Sequence, residues 1–121
     1  MSKITAGETL VTLNGDAILL RPTMRAATQL SRLYGGLAKV RAELVAENFD
    51  AVVATLRLGA AMTDRDARDL GERVYENGLT GELLVGLIKF VAMLGNGGKP
   101  LPEEPVDNAT GDNAGNAAGN F

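Results

Sequence analysis

Cysteine, histidine and tryptophan are absent from the chain, and only three phenylalanines and two tyrosines supply aromatic side chains. Without thiols and imidazoles, the chain cannot form disulfides, the usual zinc sites, or catalytic groups built on a histidine base or a cysteine nucleophile. An all-oxygen metal site requires clustered carboxylates of the D-x-D-x-D-G kind, and the sequence contains no such run. We therefore expect a protein that is not an enzyme and uses neither a cofactor nor a metal.

Long apolar runs are also scarce, which argues against a membrane or secreted protein. The longest, Thr80 to Leu94, is shorter than the roughly 20 residues of a membrane span and is interrupted by Glu82 and Lys89. The beginning of the chain, MSKITAGETL, lacks the charged segment and apolar run of a secretory signal. Together with the absence of cysteine, these features predict a cytoplasmic protein with no membrane partner.

Acidic charge is concentrated near the end of the chain. The twelve basic and fifteen acidic residues give a net charge of −3. Four of the acids follow Pro100, so residues 1–99 carry a net charge of +1, which argues against nucleic acid as a partner. The sequence after Gly97 is also rich in glycine, asparagine and alanine and has little to bury. We predict one folded domain over residues 1–97 and a disordered acidic tail over residues 98–121.

A β-hairpin is predicted near the start of the chain. Branched apolar residues in Thr9–Leu13 and Asp16–Arg21 flank Asn14-Gly15, a dipeptide that tolerates the positive φ angles of a type I′ turn. The two-residue loop pairs Val11 with Ile18, Leu13 with Asp16 and Thr9 with Leu20. The apolar residues that then share one face are Val11, Leu13, Ile18 and Leu20. Because an isolated hairpin is marginal in water, we expect this face to lie against helices.

Five helices are predicted after the hairpin from apolar spacing and from cap residues. Their ranges are Met24 to about Tyr34, Leu37 to about Val45, Phe49 to Ala61, Asp64 to Glu76 and Thr80 to Leu94. The last helix is apolar most of the way round, begins at a Thr80 cap and ends with Gly95 in the left-handed conformation. The predicted fold is therefore mainly α, with the hairpin packed on a bundle of about five helices.

The chain has more apolar faces than a core with few aromatic residues requires. Two interpretations stay open. The last helix is buried on all sides by its neighbours, or part of its surface and of the hairpin face binds a partner helix or a second copy of the chain. Under the second interpretation, the candidate partner-binding residues include Val11, Ile18, Leu20, Leu83, Leu87, Phe90, Val91 and Leu94.

A run of cations without acids lies between Ala17 and Ala42. Its members are Arg21, Arg25, Arg32, Lys39 and Arg41. Arg25 and Arg32 are seven residues apart, so a helix places both on one face, and both join the candidate partner-binding residues. The run is a docking patch for an acidic partner or for the chain's own acidic tail, or else a solvated helix face. Base reading by the second helix is not favoured, because that helix offers no Asn, Gln or Ser.

The order and spacing of these elements resemble those of a known family. The string GETLVTLNGDAILLRPTMRAATQLSRLYGG, followed by a short helix and ENFDAVVATLRLGAAM, is similar to the small tail-assembly proteins of phages and gene transfer agents. The resemblance covers roughly residues 8–95. Its matching pieces are Leu13-Asn14-Gly15, Leu20 to Thr23, Gly35-Gly36, Phe49 to Gly59 and the cap at Thr63. The chain departs from the family pattern at Gln29 to Arg32, where an acidic residue often precedes the glycine stop.

The resemblance implies a non-enzymatic tail-assembly chaperone. Such a protein binds the long, aggregation-prone tape measure protein, keeps it soluble and helps the major tail tube protein to polymerise around it. Helix-in-groove contacts repeated along the tape measure would act by avidity. Two other classes stay open: a structural subunit of the tail that is retained in finished particles, and a small DNA-binding regulator that uses the surface of Arg25, Arg32 and Arg41.

Overall fold

In the computed structural model, residues 7–101 are described and form a two-stranded antiparallel hairpin followed by five helices. The strands are β1 (Thr9–Leu13) and β2 (Asp16–Leu20), and the helices are α1 (Met24–Tyr34), α2 (Leu37–Val45), α3 (Phe49–Gly59), α4 (Leu70–Asn77) and α5 (Gly81–Gly95). The prediction of a mainly α fold with an N-terminal hairpin is confirmed. The predicted disordered tail falls largely on residues 102–121, which lie outside the described residues.

The hairpin has the predicted register. Val11 pairs with Ile18 and Leu13 with Asp16, across a turn in which Asn14 and Gly15 have φ angles of 52° and 82°. The inward-facing residues are buried, as expected: Val11, Leu13, Ile18 and Leu20. β1 packs on α5 at Gly86, where an added Cβ would lie 2.8 Å from Val11 Cγ1. The missing side chain at this position therefore allows the strand to approach the helix closely.

The tip of the hairpin is held by α4. The backbone N–H of Asn14 donates a hydrogen bond to Asn77 Oδ1 at 3.0 Å, and Asn14 Nδ2 donates to Glu76 Oε1 at 3.3 Å. Arg73 Nη2 lies 3.4 Å from Asp16 Oδ2 and forms an ion pair with it. These contacts join residues about sixty positions apart in sequence and fix the hairpin against the helices, since register alone does not orient it.

Side-chain caps begin three of the helices at the predicted positions. Thr23 Oγ1 accepts from the Ala26 N–H at 3.1 Å, and Thr80 Oγ1 accepts from the Leu83 N–H at 3.2 Å. Asn48 Oδ1 caps α3 in the same way. The prediction that Gly95 ends α5 in the left-handed conformation is wrong. Gly95 is still helical, and the positive φ angle, 72°, is at Gly97.

The segment before α4 corrects the predicted helix from Asp64 to Glu76. Thr63 does cap a turn, since its Oγ1 accepts from the Asp66 N–H at 3.1 Å, but residues 64–69 form turns and α4 begins only at Leu70. Aspartate is a poor residue for a helix interior, and this segment buries little apolar surface. The helix starts where Leu70 and Val74 enter the core.

α5 is the central element of the core. It contacts α1, α2, α3 and β1. The Phe90 ring of α5 is fully buried against Gly59 of α3. A Cβ added at Gly59 would lie 2.9 Å from this ring and 3.1 Å from Leu20 Cδ2. The predicted helix over Thr80 to Leu94 is thus covered along most of its circumference. No helix within residues 7–101 is long and apolar enough to cross a membrane.

Candidate partner-binding groove

An open groove runs between α1 and α3. Its wide end encloses about 620 Å³ and is lined by Arg32 and Leu33 of α1 and by Asp50, Val53 and Ala54 of α3. Its narrow end encloses about 280 Å³ and is lined by Thr23, Arg25, Ala26, Ala61 and Met62. Gln29, Arg57 and Leu58 line both ends, so the two spaces adjoin each other. We call this feature the α1/α3 groove.

The two helices of the groove run antiparallel. The beginning of α1, at Arg25, lies beside the residues that follow α3, whereas Leu33 at the end of α1 lies beside Asp50 and Val53 at the start of α3. The core takes Ala26 and Leu30 from α1, and Val52 and Leu56 from α3. The groove is therefore the outer seam of a helix pair whose inner seam is packed against the core.

The floor of the groove is apolar. Leu33 is 62% exposed, although it lies seven positions after the buried Ala26. Opposite it, α3 presents the short side chain of Ala54 and the charged side chain of Asp50, so neither helix covers Leu33. Val53 and Leu58 are half-buried and extend the apolar strip along α3. A leucine exposed within a concave apolar strip is typical of a protein-binding surface.

Positive charge predominates along the rim. The charged lining residues are three arginines, Arg25, Arg32 and Arg57, and one acid, Asp50. α1 contains no acidic residue at all. Arg57 forms an ion pair with Asp64. Among residues 7–101, neither Arg25 nor Arg32 forms an ion pair with an acid, so the α1 wall presents two unneutralised cations.

Two carboxylates, Asp50 and Glu43, lie near Tyr34 at the end of α1. Burial raises the pKa of Tyr34 above its usual value of 10.0, and the nearby carboxylates of Asp50 and then Glu43 raise it further. Asn48 Nδ2 donates a hydrogen bond to Glu43 Oε1 at 2.7 Å, which holds that carboxylate at the junction. The α1/α3 groove is thus basic along α1 and acidic at the start of α3.

The structure divides the predicted partner-binding residues into two groups. Eight of them are buried in the core: Val11, Ile18, Leu20, Leu83, Leu87, Phe90, Val91 and Leu94. A partner cannot contact these side chains in the described fold, because the hairpin and α5 bury their apolar faces against each other and the other helices. Arg25 and Arg32 are exposed, and both line the α1 side of the α1/α3 groove.

Leu33 and the α3 strip were not among the predicted residues. The seven-residue spacing of Leu33 from the buried Ala26 indicates the packed side of α1, but Leu33 is exposed in the structure. One signal in the sequence does point to the strip: α3 is apolar beyond its core stripe, with Val53, Ala54 and Leu58 beside the buried Val52 and Leu56. A second apolar stripe on one helix indicates a second contact surface.

Residues 7–101 contain no group of three or more His, Cys, Asp or Glu side chains that could hold a metal ion. The fold and the groove together define a small mainly α domain with an N-terminal β-hairpin and an open groove between α1 and α3. Comparisons with protein-family models, with curated proteins and with solved structures found no match for this chain.

Proposed function

We propose that this protein is a tail-assembly chaperone of a phage or gene transfer agent, and that it binds helical segments of the tape measure protein in the α1/α3 groove. The observation that carries the proposal is the exposure of Leu33, at 62%, on an apolar floor continued by Val53 and Leu58. The resemblance in the order of hairpin, caps and glycine stops supports the choice of partner. A long helical chain with apolar stripes is the kind of ligand such a groove accepts.

Each contact of this kind is weak, which suits a chaperone. Burying one leucine side chain contributes about 1.5–3 kcal/mol at most, and the ordering of the partner offsets part of it. Many copies bound along one tape measure would nevertheless cover its apolar stripes, because the sites lie on a single chain and act together. The copies would leave as the major tail tube protein polymerises. The protein would thus act in the cytoplasm of the producing bacterium and be absent from finished particles.

Co-expression tests the proposal directly. Overlapping segments of a tape measure candidate from the same gene cluster are expressed with this chain and without it, and the soluble fraction and co-purification are measured. We expect at least one otherwise insoluble segment to become soluble and to co-purify. Leu33→Asp should abolish this effect, because a carboxylate in the apolar floor is costly to desolvate.

Val85→Asp is the matched control. Val85 is 51% exposed on α5 and does not line the groove, so its substitution should leave solubilisation unchanged. Equal loss of binding in both variants would point to a general solubility effect and contradict the role of the groove. If no segment associates and the chain is instead found in purified particles, the protein is a structural subunit of the tail.

A further inference from the structure

We infer that the α1/α3 groove selects an amphipathic helix that carries two acidic residues, seven positions apart, along the edge of its apolar stripe that faces α1. The source of this helix, the tape measure protein, rests on the proposed function. Its chemistry rests on the groove alone.

The cations of α1 set the spacing. Arg25 and Arg32 are seven residues apart on one helix, which corresponds to two turns and about 10.5 Å along the axis. Both line the groove, and Gln29 lies between them and lines both of its ends. A partner helix that lies along the groove has the same rise per residue, so its carboxylates at positions i and i+7 meet the two guanidinium groups.

The two walls of the groove differ, and this difference orients the partner. α1 contributes Arg25 and Arg32 and no acid, and these arginines have no acidic partner within residues 7–101. α3 contributes Asp50 at the wide end, and its Arg57 is paired with Asp64. Carboxylates on the α1 side of the partner are therefore attracted, whereas a carboxylate on the α3 side at the wide end is repelled by Asp50.

The floor between the walls receives the apolar stripe. Leu33, Val53 and Leu58 offer apolar surface along the groove, and Met62 continues it at the narrow end. The eleven residues of α1 correspond to about 16 Å of helix, so the groove contacts about three turns of a partner. Contacts at i, i+3, i+4 and i+7 of that partner are the usual pattern for a helix in a groove.

Designed peptides test the inference without the tape measure protein. One probe is an alanine-rich helical peptide with leucines at i, i+4, i+7 and i+11 and glutamates seven positions apart on one edge; the other has lysines in place of the glutamates. Binding to the full chain is measured by chemical-shift changes at low salt. We expect the glutamate peptide to bind about tenfold more tightly, since two exposed ion pairs are exchanged for two repulsive contacts, and the difference should shrink as salt is added.

Charge reversal supplies the decisive variant. The double substitution Arg25→Glu with Arg32→Glu should reverse the preference, so that the lysine peptide binds more tightly. Lys39→Glu with Arg41→Glu is the matched control, because it changes net charge equally at exposed positions of α2 that do not line the groove. Equal binding of both peptides by the unmodified chain overturns the inference. The inference also fails if the Lys39→Glu, Arg41→Glu variant prefers the lysine peptide.

Other occupants of the groove give different results. If the full chain binds neither peptide until Glu103→Gln, Glu104→Gln, Asp107→Asn and Asp112→Asn are introduced together, the groove belongs to the chain's own acidic residues and the inference fails. A dimer in sedimentation that Leu33→Asp dissociates would assign the groove to a second copy and overturn it equally.

The inference and the proposed function can fail separately. A tape measure segment that co-purifies equally with the chain and with its Arg25→Glu, Arg32→Glu variant supports the function and removes the inference. A clear preference for the glutamate peptide without association of any tape measure segment keeps the inference and removes the function.

Discussion

The pKa of Tyr34, the last residue of α1, is shifted by the groups around it. Burial raises its pKa above the usual 10.0, and the carboxylates of Asp50 and Glu43 add to the effect because a tyrosinate would be a further negative charge beside them. The unfolded chain has the ordinary tyrosine pKa and therefore loses this proton at lower pH than the folded chain does.

The sign of the resulting pH dependence follows from linkage. The stability that neutral Tyr34 contributes is complete below about pH 10, the pKa of tyrosine in an unfolded chain, and is lost as pH rises through the higher pKa of the folded state. We expect the urea midpoint to fall as the pH rises above about 10, the pKa of an unfolded-chain tyrosine, and to fall less in Tyr34→Phe. Circular dichroism of both chains at each pH measures this difference. The same fall in both chains would contradict a role for Tyr34.

Single residues also mark how far the groove could be predicted from sequence. The shared face of Arg25 and Arg32 could be read from their spacing, because a helix repeats every 3.6 residues whatever surrounds it. The exposure of Leu33 could not, since the same spacing places it with the buried Ala26. Whether a leucine is covered depends on the neighbour opposite, which here is the short Ala54 together with Asp50.

At the level of elements, α3 ends in a strained turn. Ala60 is the C-cap, and the next residue, Ala61, has a φ angle of 53°. The Ala61 N–H donates to the Leu58 carbonyl at 3.2 Å and the Met62 N–H to the Arg57 carbonyl at 3.0 Å, which is the Schellman arrangement. Glycine usually occupies the left-handed position, because an L side chain is strained there.

Ala61→Gly should therefore stabilise the protein by about 1 kcal/mol, since relief of the left-handed strain exceeds the added entropy of the unfolded chain. Urea unfolding measures the change. Ala60→Gly provides the control with the opposite sign, because Ala60 has an ordinary φ angle of −89° and glycine there should cost about 0.5–1 kcal/mol. A loss of stability in Ala61→Gly would show that the turn is not strained.

Element boundaries were predictable where local chemistry sets them. Thr23, Asn48 and Thr80 each accept a hydrogen bond from a backbone N–H three residues later in the chain. Asn14 and Gly15 have the positive φ angles that a two-residue hairpin turn requires. The start of α4 was not predictable in this way. Thr63 caps a turn there as expected, but only the burial of Leu70 makes a helix favourable, and burial depends on the packed neighbours.

The whole molecule has one core shared by the hairpin and the helices. Leu13, the last residue of β1, is completely buried. Leu13→Ala should therefore lower the free energy of unfolding by about 2–5 kcal/mol and lower the urea midpoint of the helical signal in circular dichroism. Leu10→Ala on the same strand is the control. Leu10 is 50% exposed, and its truncation should cost less than about 1 kcal/mol. Helices that unfold at an unchanged midpoint in Leu13→Ala would show that the hairpin is not part of the cooperative unit.

The sequence by itself determined the element order, the hairpin register and the absence of thiol and imidazole chemistry, because turns, caps and composition act locally. The tertiary structure alone decided which apolar faces are covered. An apolar stripe indicates that one face of a helix is buried, but it does not indicate which neighbour buries that face. Thus α5, with the most apolar surface, became the centre of the core. The exposed strip was left instead between α1 and α3, where the packing of their inner faces leaves Leu33 without a cover.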